Sequence, residues 1–297
     1  MSVFPRLRRA LALGTALACL GLTVPAVASA DPPTLEPARG DWMTAVNAQQ
    51  CARPGVQHVI YLPGFIAFGN DDTETISRTN AIVGWTINSS QRPCVWVYRY
   101  SHPLVGGSVG IGALAESAAG LGRLMNERGI PDKVDLIGYS EGGQVANYAV
   151  LHGLAPRVRH QVGLAGLVRP IVDIHDYPFP PPFQNVPVGT GRINLFYAGV
   201  MPAGGFYFSD LVSQDYWRQA LPGTTNGEDG RDNDPGVCYY DQVGSRDQFF
   251  GEGGRGEGAM HKGARGWAPL YIAGVDHGIV NHVPSIQRAL SFLDTPC

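Results

Sequence analysis

Short apolar runs alternate with amphipathic segments through the middle of this chain, and no other feature limits its fold as strongly. Four runs are rich in β-forming side chains, and they predict strands at residues 58–62, 94–100, 133–137 and 160–165. The segments between them predict helices at 73–88, from 111 to a stop at Gly129, and at 143–151. Strand–helix alternation of this kind predicts an α/β fold with a mostly parallel central sheet and helices on both faces.

The pattern continues at the end of the chain after an interruption. Residues 237–243 and 270–275 are predicted strands, and a last helix that buries one apolar face is predicted from Pro284. Residues 168–235 are rich in proline and aromatic side chains, so we expect a loop-rich, cap-like insertion before these late strands. Residues 251–266 are rich in glycine and charge, and they predict a mobile loop.

The first thirty residues have the features of a secretory signal peptide. Three arginines precede an apolar run, and the small residues Ala28-Ser29-Ala30 fit a cleavage site. We therefore expect residues 1–30 to be removed and residues 31–297 to fold as a single domain of a secreted, extracellular protein.

Charge and cysteine content fit an exported protein. The formal net charge of −3 becomes −6 without the three arginines of the leader, so we expect no nucleic-acid partner. The four cysteines beyond the leader predict two disulfides, for which three pairings exist. We favour Cys51–Cys94 and Cys238–Cys297, which would join the N-terminal segment to an early strand and the C-terminus to a late strand. No cysteine or histidine pair has the spacing of a zinc site, and no metal is expected.

The segment Gly138-Tyr139-Ser140-Glu141-Gly142 matches the pattern G-x-S-x-G between a predicted strand and a predicted helix. This is the setting of a nucleophile elbow, in which a strained turn presents the serine hydroxyl above the sheet edge. The glycines let strand and helix approach closely, and the helix N-terminus favours developing negative charge. The motif therefore predicts that Ser140 is a catalytic nucleophile rather than an exposed serine in an ordinary tight turn.

A serine nucleophile needs a base, and chains with such an elbow carry the partners in the order Ser, acid, His. His277 follows the last predicted strand and is the predicted base; His282, five residues later, is the alternative. Asp247 follows the preceding predicted strand and is the predicted acid, which would orient the imidazole and stabilise the imidazolium. Asp210 is the main alternative acid, because residues 193–198 can also be read as a strand.

Acyl transfer through a serine also requires N–H donors for the oxyanion of the tetrahedral intermediate. One donor is predicted at the backbone of Glu141, the residue after the nucleophile. The second is expected in the loop after the first predicted strand, at Phe65 or Ile66, where Gly64 allows a close backbone approach.

Three parts of the chain together resemble the secreted lipase and esterase branch of the α/β-hydrolases, which holds the actinomycete lipases and the fungal B-type lipase. They are residues 58–65, the elbow at 135–144, and the Ser-Arg-Asp-Gln turn at 245–248 with Asp-His-Gly at 276–278. The resemblance implies an α/β-hydrolase fold, a disulfide that matches Cys51 and Cys94, and no cofactor. The chain departs from this group in a shorter acid-bearing turn, and in Tyr139 and Glu141 where lipases often carry His and Gln or Met.

These observations predict a serine carboxylic-ester hydrolase that works through an acyl-enzyme. The expected partner is a small-molecule or lipid ester, with transient contact to a lipid surface, and the expected state is a monomer. Two alternatives use the same residues, an acyltransferase and a polyester or cutin-type depolymerase. A third hypothesis is a catalytically inactive scaffold that binds a surface partner.

Overall fold

A parallel β-sheet forms the centre of the protein. The computed structural model describes residues 41–64, 73–100, 111–166, 168, 185–188, 191–194, 221, 231–247 and 259–297. The strands are β1 (Trp42–Ala45), β2 (His58–Leu62), β3 (Cys94–Arg99), β4 (Val134–Tyr139), β5 (Val158–Leu164), β6 (Asn185–Val188), β7 (Gly191–Asn194), β8 (Cys238–Gly244) and β9 (Leu270–Ile272).

Seven of these strands form one sheet, in the order β1-β3-β2-β4-β5-β8-β9. Every neighbouring pair is parallel except β1 and β3, which are antiparallel. All residues of β2 and β8 are buried, and because successive side chains point to opposite faces, both faces of the sheet are covered at these strands. The predicted mostly parallel sheet is therefore confirmed.

Six α-helices lie within the described residues. They are α1 (Ala48–Cys51), α2 (Thr73–Thr79), α3 (Ala81–Ile87), α4 (Ile111–Glu127), α5 (Glu141–Ala149) and α6 (Val283–Leu293). The face of α4 that the sequence predicts as apolar is buried through Leu114, Ala118, Leu121 and Met125. The predicted apolar face of α6 is buried at Ile286 and Leu293 and partly buried at Leu290.

The helix predicted at 73–88 is two helices, so that prediction is wrong at Asn80. Asn80 has extended backbone angles, with φ −117° and ψ 92°. Its side-chain nitrogen donates to the carbonyl oxygen of Ile76 at 2.9 Å, and its side-chain oxygen accepts from the Tyr61 hydroxyl at 3.0 Å. Asparagine side chains compete in this way with the helical hydrogen bonds of the backbone, which is why α2 ends and α3 begins here.

Element bounds differ elsewhere by a few residues. The helix predicted at 143–151 begins at Glu141 and ends at Ala149, and the strand predicted at 270–275 is limited to Leu270–Ile272. Neither β1 nor α1 was predicted; β1 pairs with the outer side of β3.

Both favoured disulfides are present. Cys51–Cys94 joins α1 to the start of β3, and Cys238–Cys297 joins the start of β8 to the C-terminal residue. Structural disulfides persist in oxidising environments, so the pair indicates a protein that folds in one.

The predicted signal peptide at 1–30 and most of the predicted insertion at 168–235 lie outside the described residues. Within that insertion, β6 and β7 pair with each other as a separate antiparallel hairpin. No helix in the described ranges has both the length and the apolar character needed to cross a membrane.

Candidate active site

Ser140 occupies a strained turn between β4 and α5. Its φ of 51° and ψ of −122° lie in a region that residues other than glycine rarely adopt. Its amide donates to the carbonyl oxygen of Leu164 at 3.0 Å, and its own carbonyl oxygen accepts from the amide of Gly143 at 3.0 Å. Backbone hydrogen bonds on both sides thus hold the turn in the geometry expected of a nucleophile elbow.

Two glycines allow the segments around Ser140 to touch. A Cβ on Gly138 would lie 2.5 Å from the Cα of Gly143, which is much shorter than a van der Waals contact. A Cβ on Gly64 would lie 2.9 Å from the Cβ of Ser140. The glycine spacing therefore lets β4 pack against α5 and brings the nucleophile beside the loop after β2.

His277 lies between Ser140 and Asp247. Its Nε2 is 2.9 Å from the Oγ of Ser140, and its Nδ1 is 2.8 Å from Oδ2 of Asp247. The Asp247 side chain is fully buried and the imidazole is only 12% exposed, so electrostatic interactions within the group are weakly screened. When the carboxylate accepts a hydrogen bond from the N–H at Nδ1, Nε2 is unprotonated and oriented to accept the serine proton. The arrangement can therefore activate a hydroxyl as a nucleophile.

These three residues come together because each follows the carboxyl end of a parallel strand. Ser140 follows β4, Asp247 follows β8, and His277 follows β9. The Asp247 amide donates to Gly244 at 3.1 Å, and the Arg246 amide donates to Val275 at 2.8 Å. The second bond joins the acid-bearing turn to the histidine-bearing loop, so the two segments hold each other in place.

The alternative base, His282, lies elsewhere. The Nδ1 of His282, at the start of α6, is 2.7 Å from the Oγ of Ser285 rather than beside Ser140. Asp210 falls outside the described residues. Of the alternative strand at 193–198, the structure describes residues 193 and 194, which belong to β7 of the β6–β7 hairpin.

Glu141, the first residue of α5, directly follows the nucleophile, in the position predicted for one oxyanion donor. Burial raises the pKa of its carboxyl group to about 8, so the group is mostly neutral at pH 7. A neutral side chain adds no negative charge close to the position where an oxyanion would form. Phe65 and Ile66, the candidates for the other donor, lie outside the described residues.

No pattern in the sequence indicates a buried carboxylate–histidine pair next to α5. The Nδ1 of His261 is 2.9 Å from Oδ2 of Asp241, and its Nε2 is 2.9 Å from Oδ1 of Asn147. All three side chains are buried, so the pair ties β8 to α5.

The prediction of a mobile loop at 251–266 is wrong for the last part of that segment, because Met260 and His261 are buried. Local composition carries no sign of the distant carboxylate that holds this segment.

The acidic side chain of Asp232 also stabilises the fold. It is buried and accepts hydrogen bonds from the amide of Lys262 at 2.8 Å and from the Asn233 side chain at 2.7 Å. In the part of the chain that the structure describes, no group of three or more His, Cys, Asp or Glu side chains could hold a metal ion.

Solved structures share this architecture at low sequence identity. No protein-family model and no curated protein sequence matches the chain. A bromoperoxidase from Bacillus anthracis is similar over 86% of this chain and 95% of that one, with 14% identity and a TM-score of 0.53. An α/β-hydrolase enzyme from a Medee basin deep-sea metagenome library is similar over 86% of this chain and 95% of that one, with 11% identity and a TM-score of 0.52. Together with the parallel sheet and the strained turn at Ser140, these likenesses show that the chain has the α/β-hydrolase fold.

Proposed function

We propose that this protein is a serine hydrolase of carboxylic esters, of the lipase and esterase type that its motifs resemble. The contact of His277 with both partners carries the proposal, at 2.9 Å from Ser140 and 2.8 Å from Asp247. Serine, histidine and aspartate linked in this order activate the hydroxyl and stabilise the imidazolium that forms when it loses its proton. The group also lies at the carboxyl edge of the sheet, where open α/β sheets bind their ligands.

In the proposed reaction, the Oγ of Ser140 attacks the ester carbonyl carbon while its proton moves to Nε2 of His277. The carbonyl oxygen takes the negative charge and accepts hydrogen bonds from the backbone of Glu141 and of Phe65 or Ile66. Collapse of the intermediate breaks the ester C–O bond, and the leaving alcohol takes the proton from His277. Water then attacks the acyl-enzyme with His277 as base, which releases the acid and restores Ser140.

We also propose that the protein is exported. Residues 1–30 have the composition of a signal peptide, and two disulfides suit an oxidising compartment. We therefore propose that residues 31–297 act outside the cell as a monomer on small-molecule or lipid esters, with transient contact to lipid surfaces.

A panel of p-nitrophenyl esters, from acetate to palmitate, tests this function on the purified mature protein. We expect wild-type protein to hydrolyse at least one ester, and Ser140→Ala and His277→Ala each to lower kcat by about 10⁴-fold or more. His282→Ala is the matched control, because it removes the other late histidine, which contacts Ser285. It is expected to keep the wild-type rate. Hydrolysis of no ester, or equal rates in wild type and Ser140→Ala, would contradict the proposal.

A further inference from the structure

Tyr139, the residue before the nucleophile, contacts the loop that carries His277. It is the last residue of β4, and its hydroxyl donates a hydrogen bond to the backbone carbonyl oxygen of His277 at 3.0 Å. The centroids of the phenol and imidazole rings are 5.2 Å apart, and the ring planes are inclined by 37°. One side chain therefore contacts both the backbone and the ring of the same histidine.

Gly64 makes room for the phenol ring. A Cβ at this position would lie 3.0 Å from Cδ1 and 3.1 Å from Cε1 of Tyr139, which is tighter than an ordinary carbon–carbon contact. The ring thus touches the end of the β2 loop as well as His277. The side chain links two of the segments that must keep their positions relative to Ser140.

We propose that Tyr139 is a positioning residue for His277, an inference that rests on the proposed function. During turnover the imidazole exchanges protons with Ser140, with the leaving alcohol and with water, so its alignment must persist through several transfers. Asp247 holds the ring at Nδ1, and the hydroxyl of Tyr139 holds the backbone of the same residue.

The phenol ring adds a second effect that depends on charge. An aromatic ring stabilises a cation that lies over its face within about 6 Å of the ring centroid, and the rings of Tyr139 and His277 are within that distance. His277 becomes a cation only when it has taken the serine proton, so this contact favours the transition state over the resting enzyme. The ring therefore contributes to the rate and not only to the packing of the site.

The hydroxyl stays protonated, as a donor must. Burial raises the pKa of Tyr139 above its usual value, and the negative charges of Asp247 and Asp276 raise it further. A phenolate could not donate to a carbonyl oxygen, so the hydrogen bond to His277 persists throughout the neutral range in which an imidazole acts as a base.

Two variants of Tyr139 separate the hydroxyl from the ring. Tyr139→Phe removes the hydroxyl alone, and Tyr139→Leu also removes the ring. Tyr98→Phe is the control, because the buried Tyr98 hydroxyl on β3 also lies within hydrogen-bond distance of a backbone carbonyl oxygen, that of Ser117 at 2.5 Å, with Oδ2 of Asp41 as an alternative acceptor at 3.0 Å. For each protein, kcat and KM are measured with a p-nitrophenyl ester, per active site titrated with a fluorophosphonate, and the melting temperature is recorded.

We expect Tyr139→Phe to lower kcat by about two- to tenfold with KM unchanged, as the loss of one hydrogen bond predicts. Tyr139→Leu should lower kcat by about a further two- to fivefold. Tyr98→Phe should lower the melting temperature and leave kcat unchanged.

Wild-type kcat in Tyr139→Phe, or a change confined to the melting temperature or to KM, would overturn the positioning role. Equal kcat in the Phe and Leu variants would overturn the effect of the ring. Failure of the proposed function gives a different result, since wild-type protein itself would then hydrolyse no p-nitrophenyl ester.

Discussion

Gly142 offers a direct test of how the nucleophile turn is held. A Cβ at this position would lie 2.5 Å from the carbonyl oxygen of Pro63, and closer still to that of Leu62, whereas an ordinary contact begins at 3.4 Å. Both neighbours are backbone atoms, so neither can rotate away. Gly142→Ala therefore forces the start of α5 and the end of β2 apart by about 1 Å, and overpacking of this kind costs about 1–3 kcal/mol of unfolding free energy.

The same displacement reaches the reacting groups. Ser140 and Glu141 directly precede Gly142, so the nucleophile and the proposed oxyanion donor would both move relative to His277. A misplacement of about 1 Å can lower an enzymatic rate by about 100-fold. We expect Gly142→Ala to lower kcat for p-nitrophenyl butyrate by about ten- to a hundredfold. Urea denaturation followed by circular dichroism should show the loss of about 1–3 kcal/mol.

Gly122→Ala makes the same chemical change in an open position. Gly122 lies inside α4, and the nearest atom to a new Cβ would be Cδ1 of Leu154 at 3.9 Å. Alanine favours a helix over glycine by about 1 kcal/mol, so this control should be at least as stable as wild type and equally active. If Gly142→Ala matches the control in both stability and rate, the steric reasoning is refuted.

Three further predictions concern the acid, the buried carboxyl group and a disulfide. Asp247→Asn should lower kcat by about 10⁴-fold in the same ester assay with little change in KM, and a loss below tenfold would assign the acid role elsewhere. Glu141 keeps its proton in the folded protein up to about pH 8, whereas the unfolded chain releases it near 4.5, so wild-type stability falls through that window. Glu141→Gln should therefore gain stability relative to wild type between these pH values, by up to about 1.4 kcal/mol per pH unit, and a difference in urea midpoint that is constant with pH would contradict this. Replacing Cys238 and Cys297 together by serine should cost about 2–5 kcal/mol, and an unchanged urea midpoint would show that the bond does not constrain the unfolded chain.

The sequence predicts the fold well where short-range patterns decide the structure. The strand His58–Leu62 has the bounds expected from an apolar run that ends at Pro63. The apolar pattern does not predict the break at Asn80, because the break depends on hydrogen bonds of the Asn80 side chain with Ile76 and with Tyr61, a residue of a different element. The strand β1 was missed because its four residues gain their structure from pairing with β3.

The same distinction between short-range patterns and contacts of distant residues applies to the candidate site. Ser140 could be predicted because its motif and its flanking strand and helix are adjacent in the chain. Asp247 and His277 are predicted from the order Ser, acid, His and from their places after the last two predicted strands, with Asp210 and His282 left open as alternatives. The contacts of Tyr139 with His277 and of His261 with Asp241 span 138 and 20 residues, and they arise only when separate loops pack together. No local pattern in the sequence indicates such pairs.

Mass spectrometry of the protein after reaction with a fluorophosphonate tests the assignment of the nucleophile most directly. We expect a single adduct, on the peptide that contains Ser140, and a labelling rate that falls by about 10³-fold or more in His277→Ala, because the hydroxyl then lacks its base. An adduct on a different residue, or unchanged labelling of Ser140→Ala, would contradict the assignment.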